Sequence, residues 1–270
     1  MISGSIELHK FLIPKDKLKN IPKQELVFFL KSMDALTEIH ILQKWIVFSS
    51  NPFINGSISM ESVETTAQSM QALFAARLLA GVLNEACNLI HDGFFGSLQP
   101  VENEQLQNLR QIYEPLMNDA ERDKLKKITS YFSSQDNIMK FIRNEFAFHF
   151  DFEETFKRIN DLIKNSETEL LFSEADGNCL YIFAHQSLIF TLIGRMGYLP
   201  EGLREATNKF MADITNLARS FADFFGGFIA IFLRKYFDIK LSDLEKIEIE
   251  RAPLISEVIL PYFARPNETD

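Results

Sequence analysis

The sequence is poor in cysteine. Only Cys87 and Cys179 occur among its 270 residues. Two cysteines so far apart exclude a disulfide framework and a cysteine-based zinc cluster, because both need several residues at close, regular spacing. We interpret both as buried free thiols in a reducing compartment.

The sequence also lacks an excess of positive charge. It has 28 lysines and arginines against 37 aspartates and glutamates, a formal net charge of -9. Proteins that bind nucleic acid over many nucleotides normally present a basic stripe to the phosphates. The charge therefore disfavours that class of protein, although it permits a local site that contacts one or two phosphates.

Long apolar runs are missing as well. The most apolar segment, FFGGFIAIFL at 224–233, is bounded by Asp223 and by Arg234, and it is shorter than the roughly 20 residues that a membrane-spanning helix needs. The N-terminal stretch MISGSIELHKFLIPK has no uninterrupted apolar run of signal-peptide length. We therefore expect a cytoplasmic protein without a membrane segment.

Motifs for metals and cofactors are absent too. None of the five histidines follows a glutamate by three positions, and the sequence has no phosphate-binding, dinucleotide-binding or nucleophile-elbow motif. We expect no cofactor and no catalytic metal. One alternative stays open, because Glu145, His149 and Glu153 would stack on one face of a continuous helix and could make a metal-binding bundle. An exposed or ion-paired stripe is the simpler interpretation of that spacing.

What is present predicts an all-α fold. The hydrophobic fraction is 46%, and the 26 phenylalanines indicate large apolar faces in a core or a subunit interface. Apolar residues recur at helical spacing in several segments, and the stretch SNPFINGS at 50–57 predicts a loop. The predicted helices cover 23–48, 59–91, 102–117, 119–132, 137–149 and 200–237.

We predict one domain over residues 1–270, a helical bundle with a small β-hairpin insertion. The hairpin is expected at about 167–184, where two short apolar stretches flank Ala-Asp-Gly-Asn. Helices should follow over 185–237. The tail from 238 to 270 contains three prolines and is expected to be irregular or to form a short helix.

The segment FIRNEFAFHF at 141–150 places Arg143, Asn144 and His149 among aromatic residues. The structural interpretation is an ion-paired arginine, a solvent-exposed asparagine and a histidine at a helix end. Cys87, His91 and His185 also have simple structural interpretations, as a core thiol, a helix-terminal imidazole and an interior histidine.

The pattern of an arginine and a polar residue, four further residues and then a histidine resembles the signature of the HEPN superfamily of all-α proteins. The phrase IRNEFAFHFD is similar to the motif helix of bacterial members, including abortive-infection proteins, and the resemblance covers about residues 60–165. It implies a HEPN-like helical bundle and metal-independent cleavage of RNA.

In the chemistry that this resemblance implies, His149 carries a proton, Arg143 holds the scissile phosphate, and Asn144 orients the arginine or the phosphate. The resemblance also implies a homodimer whose two motifs face one cleft, within a toxin–antitoxin or abortive-infection system. The partner protein would be an antitoxin or a nucleotidyltransferase. The alternative is a HEPN-like module that binds a protein, a nucleotide or RNA without catalysis.

Overall fold

The computed structural model is mainly helical. It describes residues 4–54, 62–96, 108–134, 169–173, 178–184, 186–187, 203–239 and 244–263, together with Met139, Ile142, Ile163 and Thr191. Within these residues it contains one two-stranded antiparallel sheet. The prediction of a mainly α-helical fold is confirmed, whereas its assignment to the HEPN superfamily stays a prediction.

The helices and strands are numbered in chain order. The helices are α1 (Lys15–Leu18), α2 (Lys23–Ile54), α3 (Val63–Leu89), α4 (Leu109–Tyr113), α5 (Asp119–Ser133) and α6 (Leu203–Phe237). A π-helical turn (Ile90–Phe95) follows α3, a 3-10 turn (Glu114–Leu116) follows α4, and another 3-10 turn spans Ile255–Glu257. The strands are β1 (Gly4–Lys10) and β2 (Glu245–Ala252).

The chain divides into two compact units. The first consists of Met1–Ile41, Val82–Asn137 and Asn216–Leu254, and the second of Leu42–Gly81, Ile138–Thr215 and Ile255–Asp270. Each unit is therefore assembled from segments that are distant in the sequence. The prediction of a single domain stays a prediction.

Polar side chains fix the beginnings of two helices. The Ser62 hydroxyl accepts the backbone N–H of Thr65 at 3.1 Å, before α3. Asn118 accepts the N–H of Glu121 at 2.9 Å, and the Glu121 carboxylate accepts the N–H of Asn118 at 2.8 Å, before α5. This reciprocal pair is a capping box, which satisfies two backbone donors that a helix end otherwise leaves unpaired.

Two helices extend beyond their predicted ends. The predicted loop at 50–57 is wrong up to Ile54, because α2 continues through Asn51 and Pro52. Asn51 is buried and its amide donates to the carbonyls of Ile255 and Val258, each at 2.6 Å, which holds the chain in place there. The expected end of the next helix near His91 is also wrong, since the π-helical turn continues to Phe95.

Aromatic side chains fill the core of the first unit. Phe29 stacks on Phe232 with ring centres 4.0 Å apart, and Phe28 meets Phe228 edge-on at 4.8 Å. These rings come from α2 and α6. The fully buried phenylalanines of this unit are Phe29, Phe94, Phe221, Phe224, Phe225, Phe228 and Phe232. Much of the high phenylalanine content therefore serves the core.

Replacing Gly93 by alanine is expected to lower the free energy of unfolding by about 1–3 kcal/mol, the usual cost of overpacking a core. A Cβ atom at Gly93 would lie 2.6 Å from Cδ2 of Phe28, whose buried ring is held by Phe228. Gly226 in α6 is the matched control, because nothing lies within 4 Å of its would-be Cβ. Gly226→Ala should instead stabilise the helix, by about 0.5–1 kcal/mol. Equal effects of the two substitutions in urea unfolding would contradict the described packing.

The sheet joins the two ends of the described chain. β1 pairs with β2 in antiparallel fashion, with Ile6 opposite Ile249 and Leu8 opposite Ile247. The prediction of an irregular tail from 238 is therefore wrong over Glu245–Ala252. The isoleucines of this segment alternate with charged residues, as in a strand, and β1 supplies the backbone partners for its hydrogen bonds.

The predicted hairpin at 167–184 is described only in part. Leu171 and Leu180 form an antiparallel bridge with two backbone hydrogen bonds of 2.8 Å, in the second unit. Of the predicted turn, Ala-Asp-Gly-Asn at 175–178, the first three residues lie outside the described residues. From Ile182 to Ala184 the chain is helical, so the predicted second strand ends earlier than expected.

Side-chain hydrogen bonds hold the C-terminal segment in place within the second unit, of which it is part. Besides Asn51, Gln68 donates to the Leu260 carbonyl at 2.8 Å and Gln71 to the Pro261 carbonyl at 3.3 Å. Tyr262 donates to the carbonyl of Cys179 at 2.8 Å. These bonds give irregular backbone the partners that a helix or a strand would otherwise supply.

Candidate functional site

The residues of the predicted RNA-cleaving motif, Arg143, Asn144 and His149, lie outside the described residues. So do Glu145 and Glu153, which the alternative metal site requires. Two residues just before the motif, Met139 and Ile142, are described, and both are fully buried. The geometry of the motif therefore stays a prediction.

The most concentrated polar cluster in the described residues surrounds Glu25 and lies in the first unit. Glu25 occupies the first turn of α2, where a carboxylate favours the positive end of the helix dipole. It precedes Phe28 and Phe29 by three and four positions, which places it on the same helix face as these core rings. The Glu25 residue is only 4% exposed as a result.

Three donors converge on a single oxygen of this carboxylate. The Tyr113 hydroxyl donates to Oε2 of Glu25, and the Tyr236 hydroxyl donates to the same atom at 2.7 Å. Nζ of Lys235 lies 2.8 Å from it. Tyr113 ends α4, whereas Lys235 and Tyr236 belong to the last turn of α6. The cluster therefore links three helices through one buried charge.

The two phenols in this cluster are held neutral. Burial raises the pKa of Tyr113, and its hydrogen bond to the Glu25 carboxylate raises it further. Burial likewise raises the pKa of Tyr236, with the same carboxylate as the second cause. Nζ of Lys235 also lies 5.0 Å from the ring centre of Tyr113. The two neutral phenols act as hydrogen-bond donors to the Glu25 carboxylate and do not act as bases. We therefore interpret the cluster as a structural clamp.

A cavity of about 500 Å³ lies at the junction of α4 and α5, also in the first unit. Its lining residues are Asn108, Arg110, Gln111, Glu114, Pro115 and Arg122. Nε of Arg110 lies 2.5 Å from Oε2 of Glu114, and Arg122 pairs with Asp119 at 3.4 Å. The hydrogen bond from Arg110 holds the pKa of Glu114 below its ordinary value. Since each guanidinium has an acidic partner, the cavity has little net charge to attract a phosphate.

A smaller groove of about 260 Å³ lies between α2 and the end of α3 in the first unit. Its lining residues are Gln24, Val27, Phe28, Glu85, Asn88, Leu89, Asp92 and Gly93. Glu85 and Asp92 are its charged residues, so it repels polyanions. The groove is unsuited to nucleic acid.

Cys87 is not an activated thiol. Burial raises its pKa to about 11, with the Asp92 charge as the smaller cause. The thiolate is the nucleophile and the metal ligand, so a raised pKa makes the thiol inert. Cys87 is only half-buried, so the interpretation of it as a core residue holds in part.

Cys87 is expected to react with iodoacetamide at pH 8 at least tenfold more slowly in the folded protein than in urea. With a pKa of about 11 the thiolate is on the order of 0.1% of the thiol at that pH. Mass spectrometry of the Cys87 peptide measures both rates. The same protein in urea serves as the control for accessibility. Equal rates in the two states would show that burial does not suppress this thiolate.

In the part of the chain that the structure describes, the histidines do not form a further catalytic or metal-binding site. Nδ1 of His91 lies 3.0 Å from the Asp92 carboxylate, and both side chains are largely exposed. His185 lies outside the described residues. Across the described ranges no group of three or more His, Cys, Asp or Glu side chains is arranged to hold a metal ion. The expectation that no catalytic metal is bound stays a prediction.

Two segments, Val63–Phe95 and Thr207–Phe237, are long and apolar enough to cross a membrane by length and composition. Half of the apolar window of each is buried inside the protein, and core helices of soluble proteins meet the same criterion. The apolar run at 224–233 lies within α6 (Leu203–Phe237), close to the helix predicted over 200–237. The cytoplasmic location stays a prediction.

Comparison with protein families, with curated proteins and with solved structures finds no significant match to this chain.

Proposed function

We propose that the protein is a metal-independent endoribonuclease of the HEPN type, with Arg143, Asn144 and His149 as its catalytic residues. The single observation that carries this proposal is the Arg-Asn-x4-His motif in a mainly helical chain. Its partners are RNA and an antitoxin or nucleotidyltransferase protein of a defence system. The net charge of -9 favours an RNA contact that is confined to one or two phosphates.

In this proposal His149 moves the proton at the ribose 2′-hydroxyl or at the leaving 5′-oxygen. A histidine side chain has an ordinary pKa of about 6.5, close to the pH at which the reaction must run. Arg143 holds the scissile phosphate through its guanidinium fork and stabilises the charge that develops on the phosphate oxygens. Asn144 orients Arg143 or a phosphate oxygen by hydrogen bonding.

A second protomer would complete the site. Six residues of an ideal helix turn about 600° and rise about 9 Å, so Arg143 and His149 would be offset by roughly 120° on one straight helix. Two motifs facing one cleft would bring a guanidinium and an imidazole together across a two-fold axis. We therefore include a homodimer in the proposal, with the segment 137–149 at or near its interface.

The described part of the chain supports no competing chemistry. Its half-buried Cys87 is a neutral thiol, the phenols around Glu25 are neutral donors, and the arginines of the cavity at 108–122 are paired with carboxylates. None of these groups supplies both a proton carrier and an unpaired cation.

The test incubates purified wild-type protein with total RNA in the presence of EDTA. We expect cleavage without added metal, and products that end in a 2′,3′-cyclic phosphate, because the neighbouring 2′-hydroxyl is the attacking group. Treatment of the products with an enzyme that opens the cyclic phosphate should shift their mass by one water. Intact RNA under all conditions would remove the nuclease proposal.

The second candidate function is a helical interaction module without catalysis. The observation that favours it is the exposed apolar face of the β1–β2 sheet, where Ile6 is 50% and Leu8 48% exposed. Surfaces of this kind commonly bind another protein chain. Stable binding of RNA or of a partner protein without cleavage would support this candidate.

A further inference from the structure

The β1–β2 sheet is exposed along its whole length. Every residue of β1 is exposed, as are all residues of β2 except the half-buried Ala252. Within the described ranges the sheet has only these two strands. A two-stranded sheet is marginally stable in water unless further strands or a packing partner support it.

One face of this sheet is apolar. Ile6 lies opposite Ile249, and Leu8 lies opposite Ile247. These four side chains are 36–50% exposed. The opposite face carries the cross-strand pairs Glu7–Glu248 and His9–Lys246. The sheet thus has the alternation of a strand pair that buries one face, although the four apolar side chains of that face are exposed.

The sequence of β2, Glu-Lys-Ile-Glu-Ile-Glu-Arg-Ala, is complementary to itself when it is reversed about Glu248. In this antiparallel register Ile247 lies opposite Ile249 of a second copy, and Lys246 lies opposite Glu250. Both pairings occur twice because the arrangement is two-fold symmetric. Opposite charges and apolar pairs directly across an antiparallel ladder each stabilise it. Only Glu248, on the two-fold axis, meets its own like charge.

We propose that two copies of this chain associate through the free edge of β2, antiparallel about Glu248, to form a continuous four-stranded sheet. The apolar face then grows to eight side chains, four from each copy. Backbone hydrogen bonds along the edge provide the affinity of the two copies for each other, and the side-chain pairs determine the register.

Neighbouring registers of β2 lose this complementarity. Only a shift of one strand against the other by an even number of residues keeps the apolar side chains of both copies on one face, because side chains alternate along a strand. A shift of two residues moves the centre of the pairing by one residue. A centre at Ile247 would place Glu245 opposite Ile249, and a centre at Ile249 would place Glu248 opposite Glu250. The proposed register alone combines two isoleucine pairs with two opposite-charge pairs.

The edge of β1 is less suited to self-pairing. Centred on Glu7, it would match Ile6 with Leu8 but would form no opposite-charge pair, because Ser5 would face His9 and Gly4 would face Lys10.

The ladder of β2 is also limited in length. Arg251 has a φ of 58°, and the register of the sheet shifts beside it, which is the geometry of a bulge. The pairing is thereby confined to about Glu245–Glu250.

Lys246 can serve both partners. Its Nζ lies 3.0 Å from the Glu7 carboxylate within the same sheet. An ammonium group has three N–H donors, and both side chains are more than half exposed, so a second carboxylate from the other copy can be reached. The association therefore requires no ion pair of the free protein to break.

Single cysteines in β2 test the register. Glu248→Cys places two thiols opposite each other at the two-fold axis, where antiparallel Cα atoms are about 4.5–5.5 Å apart, within the range of a disulfide. Glu250→Cys is the matched control on the same face and strand. Its two thiols would be offset by about 13 Å along the strand direction, because they are four residues apart. The yield of disulfide-linked dimer after mild oxidation should be on the order of tenfold higher for Glu248→Cys.

A mixture completes the test. Lys246→Cys and Glu250→Cys protein should form a mixed disulfide with each other, identified by mass spectrometry of the linked peptides, which also excludes Cys87 and Cys179 as its source. Melting temperatures close to wild type would confirm that the exposed substitutions leave the fold intact. Equal yields from Glu248→Cys and Glu250→Cys, a higher yield from Glu7→Cys, or a wild-type monomer by light scattering at tens of micromolar would each overturn the proposal.

The outcome of the cross-linking experiment is independent of the nuclease proposal, whereas a wild-type monomer would contradict the homodimer in both. A cross-link at Glu248 in a protein that cuts no RNA would remove only the nuclease. RNA cleavage in a protein without the cross-link would remove only this interface.

Discussion

Replacing Arg143 or His149 by alanine is expected to lower the rate of RNA cleavage by on the order of 10²-fold or more, in buffer that contains EDTA. A positioned proton carrier usually contributes at least this factor, and the cation that stabilises the transition-state phosphate contributes a similar one. The double variant should be little slower than either single variant, since residues that act as one unit have non-additive effects. The measurement is the initial rate of cleavage of a labelled RNA.

Two substitutions control for surface charge and for histidine loss. His91→Ala and Arg219→Ala change exposed residues outside the motif, and both should cut RNA at the wild-type rate. Melting temperatures of all variants show whether a loss of activity follows a loss of fold. If the alanine variants at 143 and 149 cut as fast as wild type, the activity comes from a contaminant or from another site.

A composite site adds one further expectation. Arg143→Ala and His149→Ala protomers, each expected to cut slowly by itself, should recover part of the activity when they are mixed and allowed to exchange. The mixed dimer would again hold one arginine and one histidine in the cleft. Absence of recovery in a mixture with proven exchange would place both groups on the same protomer.

Replacing Glu25 by alanine is expected to lower the free energy of unfolding by about 3 kcal/mol. Removing one partner of a buried ion pair leaves polar groups without compensation, which typically costs about 3–5 kcal/mol. We use the lower end because Lys235 is 30% exposed and its ammonium can turn to water. The hydroxyls of the buried Tyr113 and of the half-buried Tyr236 would lose their acceptor. Urea unfolding measures the effect.

Lys124→Ala provides the matched control for this experiment. Its ion pair with Asp223 has a similar separation, 2.7 Å, but both side chains are more exposed than Glu25. Pairs of that kind contribute at most about 1 kcal/mol. Glu25→Gln should fall between the two, because it keeps an acceptor oxygen and loses the charge. A Glu25→Ala variant as stable as Lys124→Ala would contradict the clamp.

The helices were largely predictable because their signals are local. Apolar spacing located α2, α3 and α5, and the asparagine before α5 lies where a cap is expected. The helix ends were less predictable. Pro52 indicated a loop, yet α2 continues past it, since Asn51 is held by carbonyls of Ile255 and Val258 some 200 positions away.

The sheet was not predicted, although the sequence pattern of one of its two strands, β2, was present. Ile247 and Ile249 alternate with charged residues, which is the spacing of a strand. No nearby turn indicated a partner, because β1 lies at the other end of the described chain. Pairing over such a separation depends on the helices that bring the two ends together.

The amino-acid sequence by itself determined that this protein is mainly helical, and it alone supplies the Arg143, Asn144 and His149 motif on which the proposed activity depends. Only the tertiary structure decided which polar residues meet. Glu25, Tyr113 and Lys235 are separated by 88 and 210 positions counted from Glu25. Helical periodicity is a property of neighbours within one or two turns, whereas the convergence of these side chains depends on the packing of three helices around an aromatic core, which no local pattern encodes.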